Sequence, residues 1–416
     1  MAFEPPRMAL KEGDVAALPS LGKVLRDPSS CWPARLLDTG IELASAGRRT
    51  IAFVAEPGAV STILLNRNDA FPRARMQDRI IGAGYGENLI QAQQEDWRRT
   101  RREVAQPITP ERALSLVPRI ELAASDMLAE WEGYGADAPI PLQRDARRLT
   151  LDALFRALFA EEDEARQRDS QVEETARTIA TRHPIELKEE LALLAELAGR
   201  LIRDWERKSE GREAPPFPQD RNTLTLFLHA GHDNASAALV WMLWLGAHRP
   251  DLQQQVREEW QAYRQRRFSL RNFPVAQAIL RETLRLYPPI IQLIRDVRDG
   301  LEVGDQTIPP GAIAVLSLYA MQRHRAIWDR PDAFVPERFL DPAGTAREQR
   351  AAWLPFGTGP RGCIGSSLAQ VELVLFLARI CDRFEIAPNP DCPLRAQAEW
   401  TIRPVGDAPV FLRPRS

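Results

Sequence analysis

The chain has 416 residues, a formal net charge of −2 and 44% hydrophobic side chains, which is ample for a sizeable core. The near-neutral balance offers no basic surface for a polyanion and argues against nucleic acid as a partner. Four cysteines without paired spacing argue against a disulfide framework and fit a reducing cytosol, so a cytoplasmic location is expected.

In chain order, residues 1–7 carry no apolar run, so neither a signal peptide nor a membrane anchor is expected. Residues 49–54 read as a strand, Glu56-Pro57-Gly58 as a turn, and 59–65 as a helix. Residues 93–104 form a strongly basic helical stretch, and 111–208 are mostly helical, with amphipathic spacing at Leu116, Ile120, Ala123 and Met127. Breaks fall at 133–141 and at His183-Pro184. Residues 224–247 are long enough to span a bilayer. The ionisable His229, His232 and Asp233 inside that stretch favour a long helix buried in a soluble protein. Helices follow at 251–264 and 273–286, the second stopped by Pro288-Pro289. Short strands are expected at 302–303, 306–308 and 312–316, and a terminal hairpin from 400–403 and 409–412. The prolines are scattered, no repeat is present, and the most linker-like piece, 210–218, is short. One large domain over 1–416 is expected, mainly α with a small β part.

The most informative stretch is 356–365, with Phe356, Gly359, Arg361, Cys363 and Gly365, just ahead of an apolar helical run at 368–380. Its glycines let the backbone turn sharply and approach a flat ligand. N–H groups of the loop and of the following helix can point at the Cys363 sulfur and favour the thiolate. A thiolate is the axial ligand that pushes electron density onto haem iron. Cys381 and Cys392 read as ordinary structural cysteines.

The pattern F-x-x-G-x-R-x-C-x-G resembles the haem-ligand loop of the cytochrome P-450 family. Glu282 and Arg285, three apart on one helix, and Pro336-Glu337-Arg338-Phe339 resemble that family's E-x-x-R and P-E-R-F elements. The resemblance implies a buried structural network of Glu282, Arg285 and Arg338. Trp97 and Arg101 resemble its W-x-x-x-R helix. With Arg295, Phe356 and Arg361 they are the implied contacts to haem b, whose propionates suit arginine's permanent, bidentate charge. Arg98, Arg99 and Arg102 are either a solvated basic face or a dock for an acidic ferredoxin or flavodoxin. Ala230-Gly231-His232-Asp233-Asn234-Ala235 resembles the family's A-G-x-D-T-T. Gly231 is then expected to let the helix open for dioxygen, and Asp233 to feed protons. Asn234 stands where the family has a threonine hydroxyl, and an amide donates a hydrogen bond without relaying protons as a hydroxyl does. His232 reads as a packing histidine. By resemblance, residues 76–89, Phe227, Ala230, Gly231 and 290–294 would line the substrate pocket. Ile290, Ile291, Leu293 and Ile294 would supply apolar contacts, with Gln292 a polar handle.

The resemblance implies the P-450 fold without a fused reductase. It also implies a haem-thiolate monooxygenase that inserts one oxygen atom into a lipid, terpenoid or aromatic substrate, with electrons from separate proteins. The altered helix keeps three alternatives open: a peroxide-using peroxygenase, an isomerase or dehydratase that does not use dioxygen, and a haem sensor without turnover.

Overall fold

Alternating apolar positions and a glycine turn build the first strands. β1 (Ile41–Ala46) and β2 (Arg49–Val54) pair antiparallel, with Ile41 opposite Val54, across a two-residue turn in which Gly47 takes φ +63°. Glycine adopts that angle without a Cβ penalty. In chain order the other main elements are α1 (Pro57–Leu65), α2 (Gln94–Ala105), α3 (Val117–Glu132), β3 (Pro139–Ile140), α4 (Leu142–Leu158), α5 (Ser170–Thr181), α6 (Leu187–Lys208), α7 (Arg221–Ala247), α8 (Pro250–Tyr263), α9 (Pro274–Leu286), β4 (Gln292–Asp296), β5 (Leu301–Val303), β6 (Gln306–Ile308), β7 (Ile313–Ser317), α10 (Ser366–Arg383), β8 (Phe384–Pro388), β9 (Ala396–Ala398), β10 (Ile402–Pro404) and β11 (Val410–Pro414). This computed structural model describes residues 3–13, 28–65, 70–75, 84–92, 94–135, 138–159, 170–181, 187–208, 217–341, 346–392, 394–398, 401–405 and 410–415. The expected break at His183-Pro184 lies outside the described residues.

Two compact units divide the chain, each drawn from separated segments. The first takes its residues from 1–77, 281–363 and 393–406. Its main sheet has the order β1-β2-β7-β4, with β2 and β7 parallel and β4 antiparallel to β7. All five residues of β7 are buried, as expected of a strand paired on both edges. β5 pairs with β6, and β9 with β10.

The second unit takes its residues from 78–280, 364–392 and 407–416. α7 packs against α4, α6 and α10. Asp220 caps α7 by accepting from the Thr223 N–H at 2.8 Å, which satisfies one of the helix's orphan donors. The 3-stranded sheet β3-β11-β8 completes the unit. Among the described residues no helix is long and apolar enough to cross a membrane.

The sequence predicts a terminal hairpin, and the pairing is different. β10 pairs with β9, while β11 pairs with β3 and β8. Both strands were recognisable from local composition, but their partners are set by contacts that composition does not carry. β4 falls in a stretch read only as pocket lining. Its alternation is obscured by two successive buried residues, Ile294 and Arg295.

Candidate active site

The cysteine loop is shaped by two left-handed glycines, Gly357 at φ +65° and Gly359 at φ +73°. A Cβ on Gly359 would sit 2.6 Å from the Leu64 carbonyl oxygen of α1, so only glycine fits there. The Cys363 N–H donates to the Phe356 carbonyl at 2.8 Å and the Gly362 N–H to that of Gly359 at 3.0 Å, closing the loop on itself. This leaves Cys363 exposed, while Cys31 and Cys381 are buried and Cys392 is intermediate. Burial pushes the Cys381 thiol up to about 12, with Arg415 opposing it. Cys381 is therefore a structural thiol and not a thiolate at neutral pH.

Behind this loop, in the same unit, lies a knot of buried charge. Glu282 and Arg285 on α9 have fully buried side chains and pair at 2.7 and 2.8 Å, fork to fork. Arg285 also donates to the carbonyls of Gln322, Pro331 and Ala333. Glu282 accepts from the Val335 N–H and from Arg338 Nε. Gln322 in turn donates to the carbonyls of Leu284 and Arg285 and accepts from the Leu354 N–H at 3.1 Å, two residues before Phe356. Arg295 is buried on β4 and donates to the Ile294 carbonyl. Arg361 is partly exposed. Ile290 is exposed, Leu293 is intermediate, and Ile291 and Ile294 are buried. Gln292 already accepts from the Trp32 indole N–H at 3.2 Å. That bond ties β4 to Trp32 through the Gln292 amide oxygen.

In the second unit, Trp97 and Arg101 share one face of α2, with the guanidinium 5.7 Å from the indole ring centre. Trp97 packs against an apolar cluster of Leu89, Val104 and Leu226, joined by Tyr85, Phe227 and Ile364. Arg98, Arg99 and Arg102 are exposed and each pairs with Glu95 or Asp96 on the same helix, so that face carries mixed charge. Residues 76–83 of the expected pocket segment lie outside the described residues.

α7 has two unlike sides. Phe227, Ala230, Gly231 and Asn234 recur at i, i+3, i+4 and i+7 and are partly or fully exposed in a largely buried helix. Asn234 Nδ2 donates back to the Ala230 carbonyl at 3.1 Å. The helix is unbroken, and a Cβ on Gly231 would lie 2.8 Å from Leu154 Cδ2 of α4. Gly231 thus lies against the end of the Leu154 side chain of α4.

The other side carries His229, His232 and Asp233. Asp233 accepts from Arg147 Nη2 at 2.9 Å, and Arg147 Nη1 reaches Glu190 at 3.3 Å. His232 Nε2 lies 3.2 Å from Glu190, so this histidine is buried as a packing residue would be, but it sits beside a charge. Arg147 and Glu190 are functional candidates that the sequence did not reveal. A charged residue inside an otherwise apolar helix face was the available signal.

The family model described as Cytochrome P450 matches residues 43–193 and 196–405. The chain belongs to the cytochrome P450 family. Cytochrome P450 714C3 from Oryza sativa subsp. japonica is 24% identical over 415 residues, covering 89% of this chain and 81% of that protein. Steroid 17-alpha-hydroxylase/17,20 lyase from Rattus norvegicus is 33% identical over 198 residues, 45% of this chain and 39% of that protein. Several of the curated relatives are matched over little more than a third of their own length. A crystal structure of a 6-coordinated cytochrome P450 from Thermus thermophilus superposes with a TM-score of 0.65 and 27% identity, covering 90% of this chain and 94% of that one.

Membership in the P450 family implies haem held by a cysteine thiolate. The residues present fit such a group. Cys363 is the exposed cysteine, its loop is formed by glycines that admit no Cβ at Gly359, and the charge knot holds the loop from behind.

Proposed function

We propose that the protein is a haem-thiolate monooxygenase that binds haem b through Cys363 and inserts one oxygen atom of dioxygen into an apolar organic substrate. The observation that carries this reading is the exposed Cys363 thiol on a self-closed glycine loop. Haem would supply the activation of dioxygen. Trp97, Arg101, Arg295 and Arg361 would hold its propionates, and Phe356 would pack beside the thiolate. Arginine suits this task because its charge persists at every accessible pH. Phe227, Ala230, Ile290 and Leu293 would exclude water from the substrate. Asp233 would carry the proton, and Asn234 would donate a hydrogen bond from its amide.

Relatives named as hydroxylases of steroid and taurochenodeoxycholic substrates support hydroxylation of a lipid-like scaffold. A small acidic ferredoxin or flavodoxin with its reductase would deliver electrons to the face bearing Arg98, Arg99 and Arg102, in the cytosol. The test is turnover. Product should form with dioxygen, NADH and surrogate redox partners. Product with peroxide alone would favour a peroxygenase, and conversion without any oxidant would favour an isomerase or dehydratase.

A further inference from the structure

One turn of α7 puts His229 and Asp233 on the same helix face, four residues apart. Glu190 of α6 meets them from the neighbouring helix, and one ligating atom from each of the three lies within 4.8 Å of the others. Glu190 Oε1 is 3.9 Å from His229 Nε2 and 3.2 Å from His232 Nε2. Its other oxygen, Oε2, accepts from Arg147 Nη1 at 3.3 Å, and Arg147 Nη2 donates to Asp233 Oδ1 at 2.9 Å. The Tyr85 hydroxyl lies 2.6 Å from His229 Nδ1. The side chains of Glu190, His232 and Asp233 are each at most 5% exposed, whereas that of His229 is 12% exposed. Tyr85 beside it is partly exposed, and Gly84 and Gly86 are fully so.

Imidazole together with carboxylate is a donor set for zinc and similar transition metals, whereas magnesium and calcium take oxygen ligands. Ligand atoms around a tetrahedral zinc, with bonds of about 2.0–2.1 Å, stand roughly 3.3 Å apart. The two distances from Glu190 to the histidines bracket that spacing. The widest separation in the cluster has to close by at most about 1.5 Å, the difference between 4.8 Å and 3.3 Å, which rotation of a carboxylate side chain supplies. The ring nitrogen of His229 that faces Glu190 is Nε2, and its Nδ1 is held by Tyr85. A ligating histidine is commonly fixed through its second nitrogen in this manner. With a metal on Nε2, Nδ1 keeps its proton and donates it to the Tyr85 oxygen. Arg147 repels a second cation and so weakens the site. It reaches Glu190 through the oxygen that the histidines do not face, so it orients the carboxylate without occupying the ligand position. The partly exposed edge at Tyr85 and His229 is the entry path that a buried metal site needs.

We propose that Glu190, His229 and Asp233 form a binding site for zinc, with His232 at the fourth position, and that the bound ion holds Asp233 as a carboxylate ligand. The site stands on the placement of these side chains. Its consequence for turnover rests on the reading of Asp233 as the proton carrier. A carboxylate that ligates zinc is not available to carry a proton, so zinc entering from the solvent edge at His229 inhibits the reaction.

The experiment is calorimetric titration of the haem-loaded, tag-free protein with zinc chloride at about pH 7.5, above the free imidazole midpoint. One zinc should bind per chain. X-ray absorption at the zinc edge should show nitrogen and oxygen neighbours, with imidazole scattering and no sulfur. Sulfur in that shell would place the ion on a cysteine and overturn the site. His229→Gln and Glu190→Gln should each weaken binding about tenfold or more. Tyr85→Phe, which removes only the acceptor for Nδ1, should weaken it about tenfold. The haem spectrum of each variant, recorded without zinc, shows whether it has folded, and Tyr85→Phe carries the test if a buried substitution prevents folding. Failure of the parent to bind one equivalent would overturn the site, as would binding that survives these substitutions or an equal response to magnesium chloride. In turnover, one equivalent of zinc should slow product formation in the parent about tenfold or more, as loss of a positioned proton carrier does, and should leave His229→Gln at its own zinc-free rate. Zinc binding with unchanged turnover would overturn the inhibition. Absence of all turnover in the zinc-free parent would refute the monooxygenase reading, and the titration would still decide the site.

Discussion

Replacing Arg285 is the most severe single change that the structure defines outside the cysteine itself. Its side chain is fully buried and donates five hydrogen bonds, two to Glu282 and one each to the carbonyls of Gln322, Pro331 and Ala333. Arg285→Ala leaves Glu282 without its fork partner, and an orphaned buried charge costs about 3–5 kcal/mol. Each stranded carbonyl adds about 1 kcal/mol or more. The total approaches the whole stability of an ordinary domain, about 5–15 kcal/mol, so this variant should yield little haem-loaded protein. Arg285→Lys keeps the charge but has three donors in place of five. It should fold and lose roughly half that amount. Arg338→Ala should lose less again, because Glu282 keeps its pairing to Arg285 and the Arg338 side chain is 10% exposed. Urea unfolding followed by haem absorbance gives the order directly. Full stability and haem content in Arg285→Ala would show that the knot does not hold the cysteine loop.

Cys363→His should move the carbon-monoxide band of the reduced protein from the red-shifted thiolate position to that of histidine ligation. Cys381→Ser should leave the band unchanged, and the opposite pattern would reassign the ligand. Burial pushes the Glu372 carboxyl up to about 8 from 4.5, so the folded state binds more protons than the unfolded one between those values and stability falls as pH rises through that window. Thermal unfolding of Glu372→Gln should lack that fall; parallel parent and variant pH curves would refute the buried-acid argument. Asn234→Ala removes one hydrogen bond of about 1 kcal/mol, so product formed per NADH should drop about fivefold, with more peroxide released. Asn234→Thr should retain coupling, and equal coupling in Asn234→Ala would leave the amide without a catalytic role. Changing Arg98, Arg99 and Arg102 to glutamine should slow reduction and weaken its salt dependence. The effect should be modest, because Glu95 and Asp96 already pair with them; a salt-independent parent rate would remove the docking idea.

The family was legible because its signal is local. One loop from Phe356 to Gly365 holds five fixed residues, and α7 announces itself as a long apolar run. Helices read well because their hydrogen bonds and side-chain faces repeat within a few residues. Strand partners did not, since β10 and β11 have similar local composition and different mates. The charge side of α7 was hidden for the same reason. Asp233 meets Arg147 across 86 residues and Arg285 meets the Gln322 carbonyl across 37, and no spacing rule reaches that far.

The pairing of Asp233 bears on what it can do. A carboxylate beside a guanidinium is held ionised, so an acid locked in that bond would be a poor proton donor. Freeing a buried carboxylate normally strands its partner, at a cost of about 3–5 kcal/mol. Here Arg147 has a second anion, Glu190, on its other nitrogen. When Asp233 takes up a proton and turns from Nη2, the guanidinium keeps a partner and the cluster has gained no orphaned charge. If Asp233 serves as the proposed proton carrier, Glu190 would keep Arg147 paired while Asp233 is protonated, so that step would strand no buried charge.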